Sequence, residues 1–139
     1  MAQTRDMVVD WERYAQARER LGGNFWRVMG YLREDGHKSV TMIEEALRAD
    51  DAVALIGPAE LLKSEALQMG ALAVAEIAEE IELQARDCVE WHQSPEMLVS
   101  DVVRLRQTFE ETVDLFEKEA SPLLTRKPDF RRNLEFATR

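Results

Sequence analysis

Apolar residues recur along this chain at steps of three and four positions, the spacing that places side chains on one face of an α-helix. In the longest segment, residues 24–49, the pattern keeps its phase across Gly36. We therefore predict one continuous helix here, with Asp35 and Gly36 marking the place where a break would occur. The apolar positions of this segment are Phe25, Met29, Leu32, Gly36, Val40, Ile43 and Leu47.

Three further segments, residues 51–69, 71–90 and 95–119, carry the same pattern. Pro58 lies inside the first of them, where its ring removes a backbone donor and clashes with the preceding turn. We expect a bend at Pro58 or a helix that restarts there. The apolar positions are Leu55, Ala59, Leu62, Ala66 and Met69 in the first segment, Ala71, Val74, Ala78, Ile81, Ala85 and Cys88 in the second, and Leu98, Val102, Leu105, Phe109, Val113 and Phe116 in the third.

Capping residues stand at the expected helix ends. A short helix over residues 10–21 precedes the four long ones. Strand-like alternation is rare, so the pattern predicts an all-α fold. The expected caps are Asp10, Asn24, Asp50 or Asp51, and Ser94 followed by Pro95, and the expected stops are Gly22, Gly70 and Pro122.

Four long amphipathic helices joined by short connections favour an antiparallel up-down four-helix bundle. We expect the bundle to cover residues 24–119, the additional N-terminal helix to cover one end, and residues 121–139 to form a basic tail. No internal repeat or long linker divides the chain, so residues 1–139 are predicted to be a single domain.

Charge and composition narrow the class of protein. The 139 residues carry a formal net charge of −9, which disfavours nucleic-acid binding because the chain would repel phosphate backbones. The apolar runs are too short for a membrane span, and the first residues lack the apolar stretch of a secretory signal. Cys88 is the single cysteine and cannot form an internal disulfide, which fits a cytoplasmic protein.

One stretch of the third helix carries a more specific pattern. Residues 58–71 read Pro-Ala-Glu-Leu-Leu-Lys-Ser-Glu-Ala-Leu-Gln-Met-Gly-Ala. This resembles the motif of histidine-containing phosphotransfer (HPt) domains, in which Ala-His is followed by Leu-Lys-Gly, small residues and Gly-Ala. Residues 31–35, 43–47 and 78–82 are also similar to that family. The resemblance implies a phosphorelay module of bacterial two-component signalling, with a response-regulator receiver domain and a histidine kinase as partners.

Two residues depart from the family pattern. Glu60 stands where the family carries its phosphoacceptor histidine, and Ser64 stands where glycine is usual. In the family a neutral imidazole takes a phosphoryl group from a receiver aspartate and passes it on. Because glutamate cannot form that phosphoramidate, the resemblance implies a member that docks receivers without transferring phosphate. It is then not an enzyme, and we predict no cofactor.

The exposed side of the same helix is the expected docking surface. Glu60 and Lys63 are three residues apart, so an ordinary surface ion pair is one interpretation. The other interpretation makes Lys63 a cation that balances phosphate charge and Leu67 an apolar contact for a partner. A side chain from the next helix, Gln84 or Glu82, is expected beside it. The predicted partner-binding residues are Glu60, Lys63, Ser64, Leu67 and Gln68.

Other candidate chemistry is weaker. His37 and His92 are not followed by lysine three residues later, so both are interpreted as surface or capping residues rather than phosphoacceptors. Glu34 and His37 have the Glu-x-x-His spacing of di-iron bundles, but only one such motif is present, so we predict no metal. Cys88 falls on an apolar seam and is interpreted as a core residue.

Two hypotheses follow from different classes of function. The first is an HPt-like module that docks receiver domains. The second is a structural or adaptor bundle that has kept the fold and lost the relay, and its partner would bind elsewhere, for example at the basic tail. A metal-dependent oxidase is a distant third.

Overall fold

The computed structural model describes residues 7–125, with side chains described for residues 7–120. That part of the chain contains helices and turns and no strand, which confirms the predicted all-α class. The helices are α1 (Trp11–Leu21), α2 (Phe25–Arg48), α3 (Ala52–Met69), α4 (Leu72–Glu90) and α5 (Val99–Thr125), with 3₁₀ turns at Gly22–Asn24 and Pro95–Leu98.

The chain divides by its internal contacts into two compact units, Met1–Phe109 and Glu110–Arg139, and each is described by itself. The first contains α1 to α4 and the beginning of α5. The described part of the second is the continuation of α5, on which Lys118 Nζ lies 3.6 Å from Asp114 Oδ2. The single domain expected from the sequence stays a prediction, and the expected tail beyond residue 125 lies outside the described residues.

Within the first unit the helices form the predicted antiparallel up-down bundle. The connection from α2 to α3 and the turn from α3 to α4 are only a few residues long, so each helix must reverse direction and pack on the one before it. The start of α5 is joined to α2 by the bidentate ion pair of Arg106 with Glu44, whose shortest N–O distance is 2.8 Å. At one end of the bundle, Ser94 Oγ donates to Asp50 Oδ1 at 2.6 Å and links the two turns there.

The core is built from the predicted apolar seams. Every seam position of α3 and α4 is buried, and so are those of α2 except Leu47, which is half-buried. On α5, Thr112 is buried, whereas the predicted Val113 is only half-buried. Apart from Leu47 and Val113, the apolar side chains therefore lie as helical periodicity predicts, and Cys88 is the core residue expected.

Helix α2 runs unbroken through Gly36, as predicted, and the structure explains the glycine. A Cβ atom at Gly36 would lie 2.6 Å from Phe109 Cε1 and 3.5 Å from Leu62 Cδ1. The missing side chain lets the ring of Phe109 approach the backbone of α2 closely.

Two predicted helix ends, at Asn24 and Pro122, are wrong, and so is one of the two alternatives predicted at Pro58, a helix that restarts there. Asn24 makes no capping hydrogen bond, because Gly22–Asn24 continues as a 3₁₀ turn into α2. Helix α3 does not restart at Pro58, since it runs continuously from Ala52 to Met69. Pro122 does not stop α5, which continues to Thr125. In both proline cases one backbone donor is lost while the other hydrogen bonds of the helix remain, and continuity is kept.

The N-terminal segment is fixed to the turn between α3 and α4. Gly70 has φ +83°, and a Cβ atom there would lie 2.7 Å from the carbonyl oxygen of Asp10. Asp10 N–H donates to Gly70 O at 2.8 Å, and Ala73 N–H donates to Val8 O at 3.1 Å. Asp10 also caps α1 as predicted, accepting hydrogen bonds from two amides of the first turn. Glycine at position 70 is thus required by the close approach of the backbone.

Candidate functional site

The predicted partner-binding residues lie along the outer side of α3. Glu60, Ser64 and Gln68 are exposed, Leu67 retains 37% of its accessible surface, and Lys63 is partly buried against α4. This follows from the helix period, because these positions fall between the buried positions of the same helix. We call these five residues the α3 surface. Leu61 is also exposed beside them, so two leucines of α3 are open to a partner.

Glu82 of α4 is a buried carboxylate at the edge of the α3 surface. Its side chain is only 7% exposed, and two cations hold it. Lys63 Nζ lies 3.2 Å from Glu82 Oε1. Arg86 donates through Nε at 3.1 Å and through Nη2 at 2.9 Å to Glu82 Oε2. The three residues form one connected ionic group that spans α3 and α4.

The electrostatics of Glu82 follow from this arrangement. Burial alone would raise the pKa of the Glu82 carboxyl, because it penalises the charged form. The hydrogen bonds from Arg86 and Lys63 outweigh burial and lower the pKa below its ordinary value. Glu82 is therefore ionised at neutral pH and acts as an anchor for the two cations.

The ion pair between Glu60 and Lys63, one of the two interpretations of their spacing, is absent, and each side chain has another partner. Lys63 turns to Glu82, and Glu60 Oε1 instead lies 3.8 Å from Arg86 Nη2. The reason is that a buried carboxylate needs a cation more than an exposed carboxylate does, since water no longer solvates it.

Of the two side chains expected beside the α3 surface, Glu82 is the one that lies there. Gln84 is bonded to Glu80 on its own helix instead. Arg86 was not singled out in the sequence, although Glu82 and Arg86 are four residues apart in the order that favours an ion pair on a helix. That spacing was the available signal. The contact between Glu82 and Lys63 had no such signal, because it joins two helices.

The structure also defines the environment of His37. His37 Nδ1 lies 3.2 Å from Arg106 Nη1. A guanidinium can only donate, so Nδ1 is the acceptor in this contact. The Nδ1 atom is thus engaged within the protein, and the side chain is exposed, in agreement with the interpretation of His37 as a surface residue.

His92 follows α4 with φ +53°, the left-handed conformation of a residue that ends a helix. Gln93 N–H donates to Cys88 O at 2.8 Å across it. Within residues 7–125, no group of three or more His, Cys, Asp or Glu side chains could hold a metal ion. None of the helices described has the length and hydropathy to cross a bilayer.

Comparison with known proteins supports the fold. No protein-family model matches the chain, and no curated protein matches its sequence significantly. Among solved structures, it is similar to the crystal structure of histidine-containing phosphotransfer protein B from Pseudomonas aeruginosa PAO1. The match has a TM-score of 0.70 with 23% sequence identity, and covers 81% of this chain and 93% of that one. The chain has the phosphotransfer-protein fold.

Proposed function

We propose that the chain is an HPt-like module of bacterial two-component signalling that docks response-regulator receiver domains, and in turn a histidine kinase, through the α3 surface. We further propose that it does not carry a phosphoryl group itself. The observation that carries this proposal is the exposed Glu60 on the outer side of α3, within the motif of residues 58–71, on the phosphotransfer-protein fold.

The chemistry of the surface supports the second part of the proposal. A carboxylate in place of the imidazole offers no nitrogen nucleophile, so no phosphoramidate can form at residue 60. Lys63, the cation that the resemblance assigns to phosphate, is already bonded to Glu82 at 3.2 Å. A phosphorelay surface without its nucleophile retains docking as its function.

The docking part is tested by direct binding. Purified receiver domains from the source organism are titrated one by one into the chain by calorimetry, and we expect at least one to bind at micromolar concentration. Leu67→Glu places a charge on the α3 surface and should weaken binding by about tenfold or more, since it disrupts an apolar contact. Val103→Glu on α5, where the side chain is 53% exposed, is the control and should bind like the parent. Failure of every receiver to bind would overturn the docking proposal.

The phosphoryl-transfer part is tested with a receiver that binds. The receiver is phosphorylated with a labelled donor and mixed with the parent chain. We expect no label on the chain at any time point. Label that is acid-labile and base-stable would show a phosphohistidine and would contradict the proposal.

The second candidate, a non-catalytic adaptor, is favoured by one observation. Lys63 is engaged by Glu82 and is partly buried, so the cation needed at a phosphate-transfer surface is used inside the bundle. For an adaptor, a partner would bind away from α3, and its affinity would be indifferent to Leu67→Glu. The same calorimetric series therefore separates the two functions.

A further inference from the structure

Arg86 is the best-oriented charged donor next to the α3 surface. It is half-exposed, and both of its bonds to Glu82 use the Nε and Nη2 side of the guanidinium. A guanidinium has five N–H donors, so the Nη1 side is left over. Among the described residues no acceptor contacts Nη1. The buried Glu82 thus fixes the plane of the guanidinium and directs unused donors toward solvent.

The only other acidic group that the structure places on this guanidinium from α3 is Glu60, and its contact is loose. The distance of 3.8 Å is too long for a hydrogen bond, and both side chains are at least half exposed. An exposed pair of this kind is weak because water screens it. A partner's carboxylate that bonded Nη1 in a well-formed fork would therefore form a stronger contact than the one Glu60 makes.

We infer that Arg86 is a partner-binding residue, which accepts a carboxylate of the docked receiver domain, and that Glu60 competes with that carboxylate. This inference rests on the proposed function, since it names the chemistry that the same surface recognises. Glu82 is a positioning residue in this arrangement, because it orients Arg86 and touches no partner. Docking is then favoured by Arg86 and opposed by the residue that occupies the family's histidine position.

The opposite signs of the two contributions give a sharp test. A receiver that binds the parent is titrated into Arg86→Gln, Glu60→Gln and Arg104→Gln at low and at high ionic strength. We expect Arg86→Gln to weaken binding about tenfold, the usual effect of losing a hydrogen bond to a charged group. Glu60→Gln should tighten binding about threefold, because it removes a competing exposed charge. Both differences should shrink in high salt.

Arg104→Gln is the matched control. Arg104 lies on α5, is 58% exposed and pairs with Asp101 at 3.3 Å, so it resembles Arg86 in exposure but lies on another helix. Its variant should bind like the parent. Arg86→Lys keeps the charge without the fork and should fall between the parent and Arg86→Gln.

Each outcome decides the inference. Unchanged binding by Arg86→Gln, with the parent bound, overturns the inference and leaves the docking proposal standing. Weaker binding by Glu60→Gln also overturns it, because the partner would then present a basic group to Glu60. Absence of parent binding overturns the docking proposal and this inference with it. If Arg86→Gln unfolds, as circular dichroism would show, the sign of the Glu60→Gln effect decides alone, because Glu60 makes no buried contact.

Discussion

Glu82 is the residue at which burying a charge matters most for this site. A carboxylate at 7% exposure has lost most of its water, and its charge is tolerated because Lys63 and Arg86 surround it. Removing the carboxylate would leave two cations close together, while removing either cation would leave a buried anion underpaired. The arrangement therefore fixes α3 against α4 at the level of residues 63, 82 and 86.

We predict that Glu82→Gln lowers the free energy of unfolding by about 2 kcal/mol at pH 7, less than for a fully buried pair because both cations remain partly solvated. Glu79→Gln, an exposed position on the same helix, is the control and should change stability by less than about 0.5 kcal/mol. Urea denaturation of the parent and both variants measures the difference. A Glu82→Gln chain as stable as the parent would show that the ionic group contributes nothing.

The same residue gives a pH dependence of defined sign. The pKa of Glu82 is lowered in the folded chain by Arg86 and Lys63 against the effect of burial, so its contribution to stability is present above the unfolded pKa of about 4.5. That contribution is lost as the pH falls through the lower, folded pKa. The gap between parent and Glu82→Gln should therefore be full at pH 7 and close in strong acid. A gap that widens in acid would contradict the assigned direction.

Periodicity predicts burial of an apolar residue from its own helix alone, and for this reason the seams of α3 and α4 are placed correctly. The burial of Glu82 is different, because it depends on a lysine of another helix that the pattern of α4 does not show. The missing ion pair between Glu60 and Lys63 has the same origin. The spacing within one helix suggested a partner, and a stronger partner lay across the interface.

At the scale of helices, α2 and α5 meet where a glycine faces an aromatic ring. A glycine inside a helix costs about 1 kcal/mol relative to alanine, so its presence at the centre of the 24-residue α2 needs an offsetting contact. The ring of Phe109 supplies that contact, since its edge occupies the place of the missing Cβ. The apolar pattern predicted that Gly36 lies on the buried side of α2, and only the packing shows why no larger residue fits there.

We predict that Gly36→Ala lowers the free energy of unfolding by about 1–2 kcal/mol, because the overlap with Phe109 outweighs the better helix propensity of alanine. Gly30→Ala is the matched control on the same helix. A Cβ atom at Gly30 would contact nothing within 4 Å, so this variant should gain up to about 1 kcal/mol. Urea unfolding of both variants compares them. Stabilisation by Gly36→Ala would mean that the ring moves aside freely.

Helix ends were predicted where a side chain caps the backbone, as at Asp10, Asp51 and Ser94, because a cap is a local interaction. A helix end was predicted wrongly where a single proline interrupts the hydrogen bonds of a long helix. Pro122 removes one donor but does not outweigh the hydrogen bonds of the helix on both sides, and the same reason excludes a restart at Pro58, one of the two alternatives predicted there. The rule that proline ends a helix is a local one, and it failed where the hydrogen bonds of the neighbouring turns keep the helix continuous.

At the scale of the whole molecule, the architecture was predictable because four seams with short connections leave few ways to bury every apolar face. The proposed function depends instead on the residue at one exposed position, which neither core packing nor the fold determines. Glu60 could be exchanged without altering the core, since its contact is with the exposed guanidinium of Arg86. The same bundle could then serve as a relay or as a docking module.

We predict that Glu60→His acquires an acid-labile, base-stable phosphoryl group from a phosphorylated receiver that binds the chain, whereas the parent acquires none. The imidazole would stand beside Arg86, whose guanidinium can balance the phosphoryl charge while Lys63 remains with Glu82. Ser64→Gly clears the next exposed turn of α3, so the double variant should be labelled faster than Glu60→His alone. Labelled receiver, mixed with each chain and sampled over time on gels, measures the transfer.

The parent is the built-in control for the other imidazoles, because it contains His37 and His92 but not a histidine at residue 60. Label on the parent would mean that one of them accepts the phosphoryl group, against the hydrogen bond that His37 Nδ1 accepts from Arg106. If the double variant binds the receiver and stays unlabelled, residue 60 does not reach the receiver's phosphoryl group. The receiver would then bind away from the α3 surface, and the adaptor would become the better account of the chain.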